Sequence, residues 1–249
     1  MKGKIGLFDS GLGGISILKE LISVLPNEDY LFYEDSIHNP YGEKTEEELM
    51  EYTSSIVEYL LKEGCKIIVI ACNTATTACM SKLRKKYTDT IFVGTVPAIK
   101  AAYDHNCHFT LVLSTPYTMK SHRVQELLRD YKREDQQILN ISGENLAYLI
   151  DLNEMEEVDK VLSRILSRYV NIADSVVLGC THYSLIKDRI QKVLPGAILL
   201  DGAIGVAMEV KHQLENHQLL TSSLDKGNIT IVNSRDESYI KRSFELLER

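Results

Sequence analysis

Two cysteines occupy settings in which a thiol can do acid–base chemistry. Residues 66–74 (KIIVIACNT) and 174–182 (DSVVLGCTH) each read as an apolar strand delivering a cysteine, Cys72 or Cys180, to the start of a helix. A thiol at that point faces backbone N–H groups that have no helical partner and the positive end of the helix dipole. Both lower its pKa from about 8.5 toward neutrality and make it a usable base or nucleophile. The same N–H groups can hold a carboxylate. Free cysteines are also common as small buried hydrophobes. That is the expectation for Cys65, Cys79 and Cys107, which lack this context. It explains less well two cysteines in matched settings, each flanked by threonine, 108 residues apart.

Other polar residues fall at strand ends that can share an edge with these thiols. Asp9-Ser10-Gly11-Leu12-Gly13-Gly14 follows the first strand-like run. Read alone, its glycines suggest a dinucleotide turn, with Glu34 or Asp35 as the ribose acid, but the third glycine of Gly-x-Gly-x-x-Gly is replaced by Ser16. That reading also leaves Asp9 and Ser10 without a role. Pro40-Tyr41-Gly42 forms a turn after the second strand. His182, two residues beyond Cys180, is either a helix cap or a group that relays a proton to a neighbouring thiol. Asp9, Cys72, Cys180 and His182 could be imagined around a metal. Zinc sites, however, favour Cys-x-x-Cys or His-x-x-x-His spacings, which are absent, so no metal is expected. A Cys–His hydrolase would use one thiol and leave the other without a task.

The elements that must position these residues alternate. Strands are expected at Ile5–Phe8, Tyr30–Tyr33, Lys66–Ala71 and Ile91–Gly94, with helices at Ile15–Leu25, from Thr45 to about Glu63, and from about Thr74 to Tyr87. Thr45 and Glu48 have capping-box spacing, and Gly64 suits a helix end. The second half repeats the pattern. Strands are expected near Thr110–Leu113, Gln137–Ile141, Asp174–Leu178 and Ala197–Leu200, and helices at Thr118–Lys132, Glu144–Leu149, Glu154–Tyr169, Tyr183–Val193 and Ile204–Leu214. The polar stretch Glu215–Gly227 is the best linker candidate, before a closing strand and helix. Such alternation predicts an α/β chain of two similar lobes, each a mainly parallel sheet flanked by helices. The first lobe is expected to span 1–95 plus 215–249 and the second 96–214. Ligands of such sheets bind at the carboxyl ends of the strands.

Composition sets the outer limits. The 249 residues are 44% hydrophobic and 25% charged, ordinary for a globular chain and wrong for a disordered or membrane one. A formal charge of −7 argues against nucleic acid or an anionic membrane as partner. Five cysteines without Cys-x-x-Cys point to a reducing cytoplasm. The opening Met-Lys-Gly-Lys runs straight into a strand-like segment, so neither a signal peptide nor a regulatory N-terminal extension is expected.

At the motifs Phe8–Gly14, Pro40–Gly42, Ala71–Thr76 and Gly179–Tyr183 the sequence strongly resembles the cofactor-independent glutamate racemases of the aspartate/glutamate racemase superfamily, in the same order and at similar spacing. Weaker similarity, through Val96–Lys100 and Asp201-Gly202, covers essentially the whole chain. The resemblance implies an active site in the cleft between two α/β lobes. It also implies interconversion of L- and D-glutamate with no cofactor, supplying D-glutamate for peptidoglycan, by a homodimer. By similarity Cys72 would deprotonate D-glutamate and Cys180 L-glutamate, assisted by Asp9 and His182 respectively. Ser10, Tyr41, Gly42, Asn73, Thr74 and Thr181 would hold the substrate's polar groups. The chain departs from the family pattern at several places. Glu34-Asp35 stands for the usual Gly-Asp, and Ile37-His38 for a frequent Ala-Arg. Ser114-Thr115-Pro116-Tyr117-Thr118 replaces Gly-Thr-x-x-Thr, Asp151 aligns with a frequent glutamate, and Ser184 stands for a proline. Racemisation of aspartate or a broader substrate range is the alternative. A non-catalytic protein sequestering an acidic metabolite would need no thiol on each face.

Overall fold

The structure, a computed structural model, describes residues 3–248. Along the chain run β1 (Lys4–Asp9), α1 (Ile15–Val24), β2 (Tyr30–Glu34), α2 (Glu46–Lys62), β3 (Cys65–Ile70), α3 (Asn73–Lys86) and β4 (Phe92–Gly94). Then follow α4 (Ile99–Asp104), β5 (Phe109–Ser114), α5 (Pro116–Lys120), α6 (His122–Tyr131), β6 (Gln137–Ser142), α7 (Leu146–Asp151) and α8 (Met155–Leu166). The chain continues with β7 (Ser175–Gly179), α9 (Lys187–Val193), β8 (Ile198–Leu200), α10 (Ala203–Asn216), β9 (Ile229–Asn233) and α11 (Glu237–Glu248). Two compact units result: the chain through Thr95 together with Ala203 onward, and Val96–Gly202. No helix among the described residues is long and apolar enough to cross a membrane.

Both sheets are wholly parallel. The first has strand order β4-β3-β1-β2-β9 and the second β6-β5-β7-β8. Written from its other edge, the second sheet is β8-β7-β5-β6, which matches β4-β3-β1-β2 strand for strand. The internal repeat therefore extends beyond the two cysteines. β3 corresponds to β7, so Cys72 and Cys180 occupy equivalent positions. β1 corresponds to β5, so Asp9 is the counterpart of Ser114.

Each helix forms for local reasons and buries one face for tertiary ones. Thr45 accepts from the Glu48 amide while the Glu48 carboxylate accepts from the Thr45 amide, closing the expected capping box. Gly64 ends that helical turn with φ of 81°, a left-handed conformation in which glycine is unstrained. The core of the first unit gathers Ile5 and Leu7 from β1, Ile67 and Val69 from β3, and Ile17, Leu18 and Leu21 from α1. The second core is built from Leu111 and Leu113, Val176 and Leu178, and Val158, Leu162 and Leu166.

Four features differ from the sequence expectation. Residues 203–214, expected in the second lobe, pack on the first unit. Ala203, Val206, Ala207, Val210 and Leu214 recur at helical spacing and enter the core beside Ile17, Leu18 and Leu21. The polar stretch Glu215–Gly227 therefore connects α10 to β9 within one unit. The helix expected over Thr118–Lys132 is two helices, α5 and α6, broken at Ser121. That residue is extended (φ −66°, ψ 145°), and its hydroxyl donates to Thr118 O and accepts from the Val124 amide. The helix expected from Tyr183 begins as a 3-10 turn, Thr181–Ile186, before α9. The short α4 was not expected at all.

Candidate active site

Within the first unit, the parallel register Phe8↔Ile70 brings the ends of β1 and β3 side by side. Asp9 ends β1, and Cys72 caps α3 from an extended backbone (φ −134°, ψ 120°), its Sγ accepting from the Ala75 amide at 3.5 Å. This is the helix-start setting expected from the sequence. The thiol lies 3.9 Å from Ser10 Oγ, and the Ser10 amide donates to Asp9 Oδ1 at 2.7 Å. Asp9, Ser10 and Cys72 are all buried, as are Asn73 and Thr74 in the first turn of α3. Tyr41, also buried, donates its hydroxyl to Asp35 Oδ2 at 2.6 Å. Burial first, then the charge and hydrogen bond of Asp35, hold this phenol well above its usual pKa, with Cys72 and Asp9 adding to the effect. The ring is thus kept neutral as a donor close to both groups. Gly42 shares the turn Tyr41–Glu43, and among the described residues no hydrogen bond joins it to Cys72.

The glycine-rich turn has its own explanation. Leu12, Gly13 and Gly14 are buried in a 3-10 turn. A Cβ on Gly14 would stand 2.7 Å from Phe32 Cζ and 3.0 Å from Asp9 Cβ. These residues pack the carboxylate-bearing end of β1 against β2, which accounts for the motif without a nucleotide.

Cys180 occupies the equivalent point of the second sheet, extended at φ −145°, ψ 137°, ahead of the 3-10 turn Thr181–Ile186. No side-chain cap bond is made here, so its polar partner comes from elsewhere. His182 Nδ1 lies 3.7 Å from Cys180 Sγ, and His182 Nε2 lies 2.9 Å from Asp151 Oδ1. All three side chains are buried, as is Thr181. Burial alone would push the imidazole down. The Asp151 carboxylate outweighs it, aided by Cys180, and His182 is held well above its ordinary pKa of 6.5. The imidazole thus sits between the Asp151 carboxylate, in ion-pair range of Nε2, and the Cys180 sulfur, beside Nδ1. The result is an Asp151–His182–Cys180 file whose imidazolium faces sulfur. Gly179, just before the thiol, permits a close approach. A Cβ there would meet Ser114 Cβ at 2.7 Å and Leu113 O at 3.0 Å.

Ten residues were singled out by sequence. Asp9, Ser10, Tyr41, Asn73 and Thr74 fall with Cys72 in one unit, and His182 and Thr181 with Cys180 in the other, while Gly42 is tied only through its turn. Sequence reasoning had noted Asp151 without giving it a role, and the structure makes it the partner of His182. It also left Ser114, Thr115 and Thr118 outside the site. All three are buried, Ser114 as the last residue of β5 beside β7, Thr115 as the cap of α5 and Thr118 within it, and Ser114 Oγ has no hydrogen-bond partner among the described residues. The signal that could have found them is their position, since Ser114 occupies the place of Asp9 in the repeat. Glu34 belongs to a different task. Its carboxylate accepts from Asn233 Nδ2 at 2.8 Å and from Ser243 Oγ, fastening β9 and α11 to β2. Burial pushes the Cys65 and Cys79 thiols up to about 11, so neither is a ready thiolate near neutral pH.

Comparison with known proteins agrees with this arrangement. The family model "Asp/Glu/Hydantoin racemase" matches residues 27–208. A glutamate racemase of Clostridium perfringens is 38% identical over 250 residues, covering 98% of this chain and 96% of its own length. Among solved structures, the Escherichia coli glutamate racemase in complex with L-glutamate and the activator UDP-MurNAc-Ala superposes with a TM-score of 0.83 at 30% identity, covering 99% of this chain and 95% of that one. The RacE1 isoform of glutamate racemase from Bacillus anthracis gives a TM-score of 0.84 at 25% identity, with coverages of 98% and 94%. Two like sheets each carrying a buried thiol at the same strand end, a family match across most of the chain, and relatives aligned nearly end to end lead to one conclusion: the chain belongs to the Asp/Glu/Hydantoin racemase family.

Proposed function

We propose that this racemase interconverts L- and D-glutamate through two thiols acting on opposite faces of one substrate molecule. The observation that carries the reading is the duplicated placement of Cys72 and Cys180 at equivalent strand ends, each with its own polar partners. Racemisation through a planar intermediate needs a proton acceptor on one face and a donor on the other. A single thiol beside an acid would serve only one of them.

In this reading the Cys72 thiolate takes the α-proton of D-glutamate as the Cα–H bond breaks, and the electron pair passes into the carboxylate. Cys180–SH then delivers its proton to the opposite face, leaving L-glutamate with Cys72 protonated and Cys180 as thiolate. The reverse direction exchanges the roles. Asp9 and Ser10 serve the Cys72 side and the protonated His182 serves Cys180. The buried hydroxyls and first-turn amides of Ser10, Asn73, Thr74 and Thr181 hold the substrate's charged groups. Preorganised donors of this kind stabilise developing charge far better than water does. The same reading places the enzyme in the cytoplasm as a homodimer and gives its D-glutamate to peptidoglycan synthesis, on the strength of the resemblance to bacterial glutamate racemases.

The test is chiral chromatography of each enantiomer of glutamate and of aspartate incubated with purified protein and no added cofactor. Glutamate is expected to reach equal amounts of both enantiomers from either side, with aspartate slower. Inversion of aspartate in preference to glutamate would move the substrate assignment, and inversion of neither would refute the reading.

A further inference from the structure

The loop between β2 and the turn Tyr41–Glu43 contains a second histidine–carboxylate pair, and no role has been assigned to it. His38 Nδ1 sits 2.9 Å from Asp35 Oδ1 and 2.8 Å from Asp35 Oδ2, while Tyr41 donates to the same Oδ2 at 2.6 Å. The Asp35 carboxylate is 3% exposed and His38 36%, so the pair runs from the protein surface inward. The His38 ring is stacked on Tyr52 of α2, with centroids 3.8 Å apart and planes 10° from parallel. The backbone around them is pinned as well. The Asp35 amide donates to Asp9 O, the Ile37 amide to Ser234 Oγ, and Asn233 Nδ2 to Ser36 Oγ. The inner end of this file, Tyr41, lies in the turn Tyr41–Glu43 that packs against α3, the helix Cys72 caps.

We propose that His38 is a positioning residue for the Cys72 half of the reaction: through Asp35 it fixes the Tyr41 ring against Cys72 and Asp9. This inference rests on the two-thiol reading above. Without His38 the buried Asp35 carboxylate keeps only the Tyr41 phenol as a side-chain partner, is poorly compensated, and turns toward water. That movement releases the Tyr41 hydroxyl and lets the ring shift. A displacement of about 1 Å beside a reacting group can cost up to ~100-fold in rate. The file is the first unit's counterpart of Asp151–His182–Cys180: a carboxylate and a histidine govern the surroundings of each thiol, directly at Cys180 and through a tyrosine at Cys72. An arginine in place of His38 would present a permanent charge and two parallel donors to the same carboxylate.

The experiment compares wild type, His38→Ala, His38→Gln and His38→Arg in steady-state racemisation of both enantiomers, using α-protiated and α-deuterated substrate. His38→Ala should lower kcat/KM by about 10-fold or more. Its isotope effect should rise with α-deuterated D-glutamate, because proton removal by Cys72 becomes more rate-limiting. It should fall with α-deuterated L-glutamate, whose abstraction by Cys180 then becomes more reversible. His38→Arg should restore both values. His38→Gln gives the same asymmetry should the alanine variant fail to fold. Equal changes from both enantiomers, or unchanged kinetics in an active enzyme, would overturn the positioning role and leave the racemase reading intact. A wild type that inverts neither enantiomer would overturn both.

Discussion

Cys72→Ala and Cys180→Ala should each lower the inversion rate by roughly 10²–10⁴-fold or more, the contribution of a positioned acid or base. The effect should not stop at slow turnover, because the remaining thiol keeps its own partners. In Cys72→Ala, Cys180 retains the imidazolium of His182 at 3.7 Å. It should still exchange the α-proton of L-glutamate with solvent, with retention of configuration. In Cys180→Ala, Cys72 retains the Ala75 amide and Ser10 and should exchange D-glutamate only. Proton NMR of the α-position in deuterated water, with chiral chromatography of the same samples, separates exchange from inversion. Either variant racemising at near wild-type rate would remove its cysteine from the mechanism.

Asp151→Ala should have the next largest effect, and it should reach stability as well as rate. The Asp151–His182 pair is nearly fully buried, with side-chain exposures of 3% and 1%. Removing one member of such a pair leaves an uncompensated group inside the protein and typically costs about 3–5 kcal/mol. Activity should fall by roughly 10²-fold, as for loss of a positioned proton-transfer partner, since a neutral imidazole can no longer donate from both nitrogens. The linkage sign is definite. The folded-state pKa of His182 is raised above its ordinary 6.5, so the stability it contributes is fully present below about pH 6.5. That stability is lost as pH rises from there through the folded-state value, because the unfolded chain releases its proton first. Thermal melts of wild type and the milder Asp151→Asn across this range should show a gap that is widest at low pH and narrows on the alkaline side. A gap independent of pH would deny that Asp151 holds His182 protonated.

The parts of the site that were legible in the sequence are those encoded locally. An apolar run of strand length followed by a cysteine and a helix start announces a thiol at a strand's carboxyl end, and both Cys72 and Cys180 stand there. The capping box at Thr45 and the left-handed Gly64 are equally local. What escaped depends on partners distant in sequence. α10 was recognisable as a helix, but its apolar face is compatible with either sheet, and only packing beside Ile17 and Leu18 decides. Asp151 lies on a short helix 31 residues before His182, so its role becomes visible only when α7 is docked. Ser114 carries no motif of its own and becomes conspicuous only through the correspondence between β1 and β5. Glu34, which the sequence offered as the ribose acid of a dinucleotide turn, is occupied by Asn233 and Ser243, some 200 residues along the chain. Ser121 interrupted a periodic run because its hydroxyl satisfies Thr118 O and caps the next helix, a competition that periodicity alone does not register.

The two helix-start thiols are also less alike than their sequences. Cys72 is held by a helix amide and a serine, whereas Cys180 has no cap bond and relies on a buried ion pair. The two thiols therefore face different surroundings, fixed backbone dipoles and a hydroxyl at Cys72 and a titratable cation at Cys180. This difference is why the Asp151 variants should carry a pH signature that changes around Cys72 would not.

The central claim is that two thiols act on opposite faces of one substrate. Its most direct test is racemisation in deuterated water stopped at low conversion, starting from L-glutamate and separately from D-glutamate. Two bases require the newly formed enantiomer to carry deuterium at the α-carbon while the recovered starting enantiomer keeps its hydrogen, in both directions. Transfer of the original α-hydrogen into the product, or early deuterium in starting material and product alike, would mean that a single base serves both faces and would contradict the account.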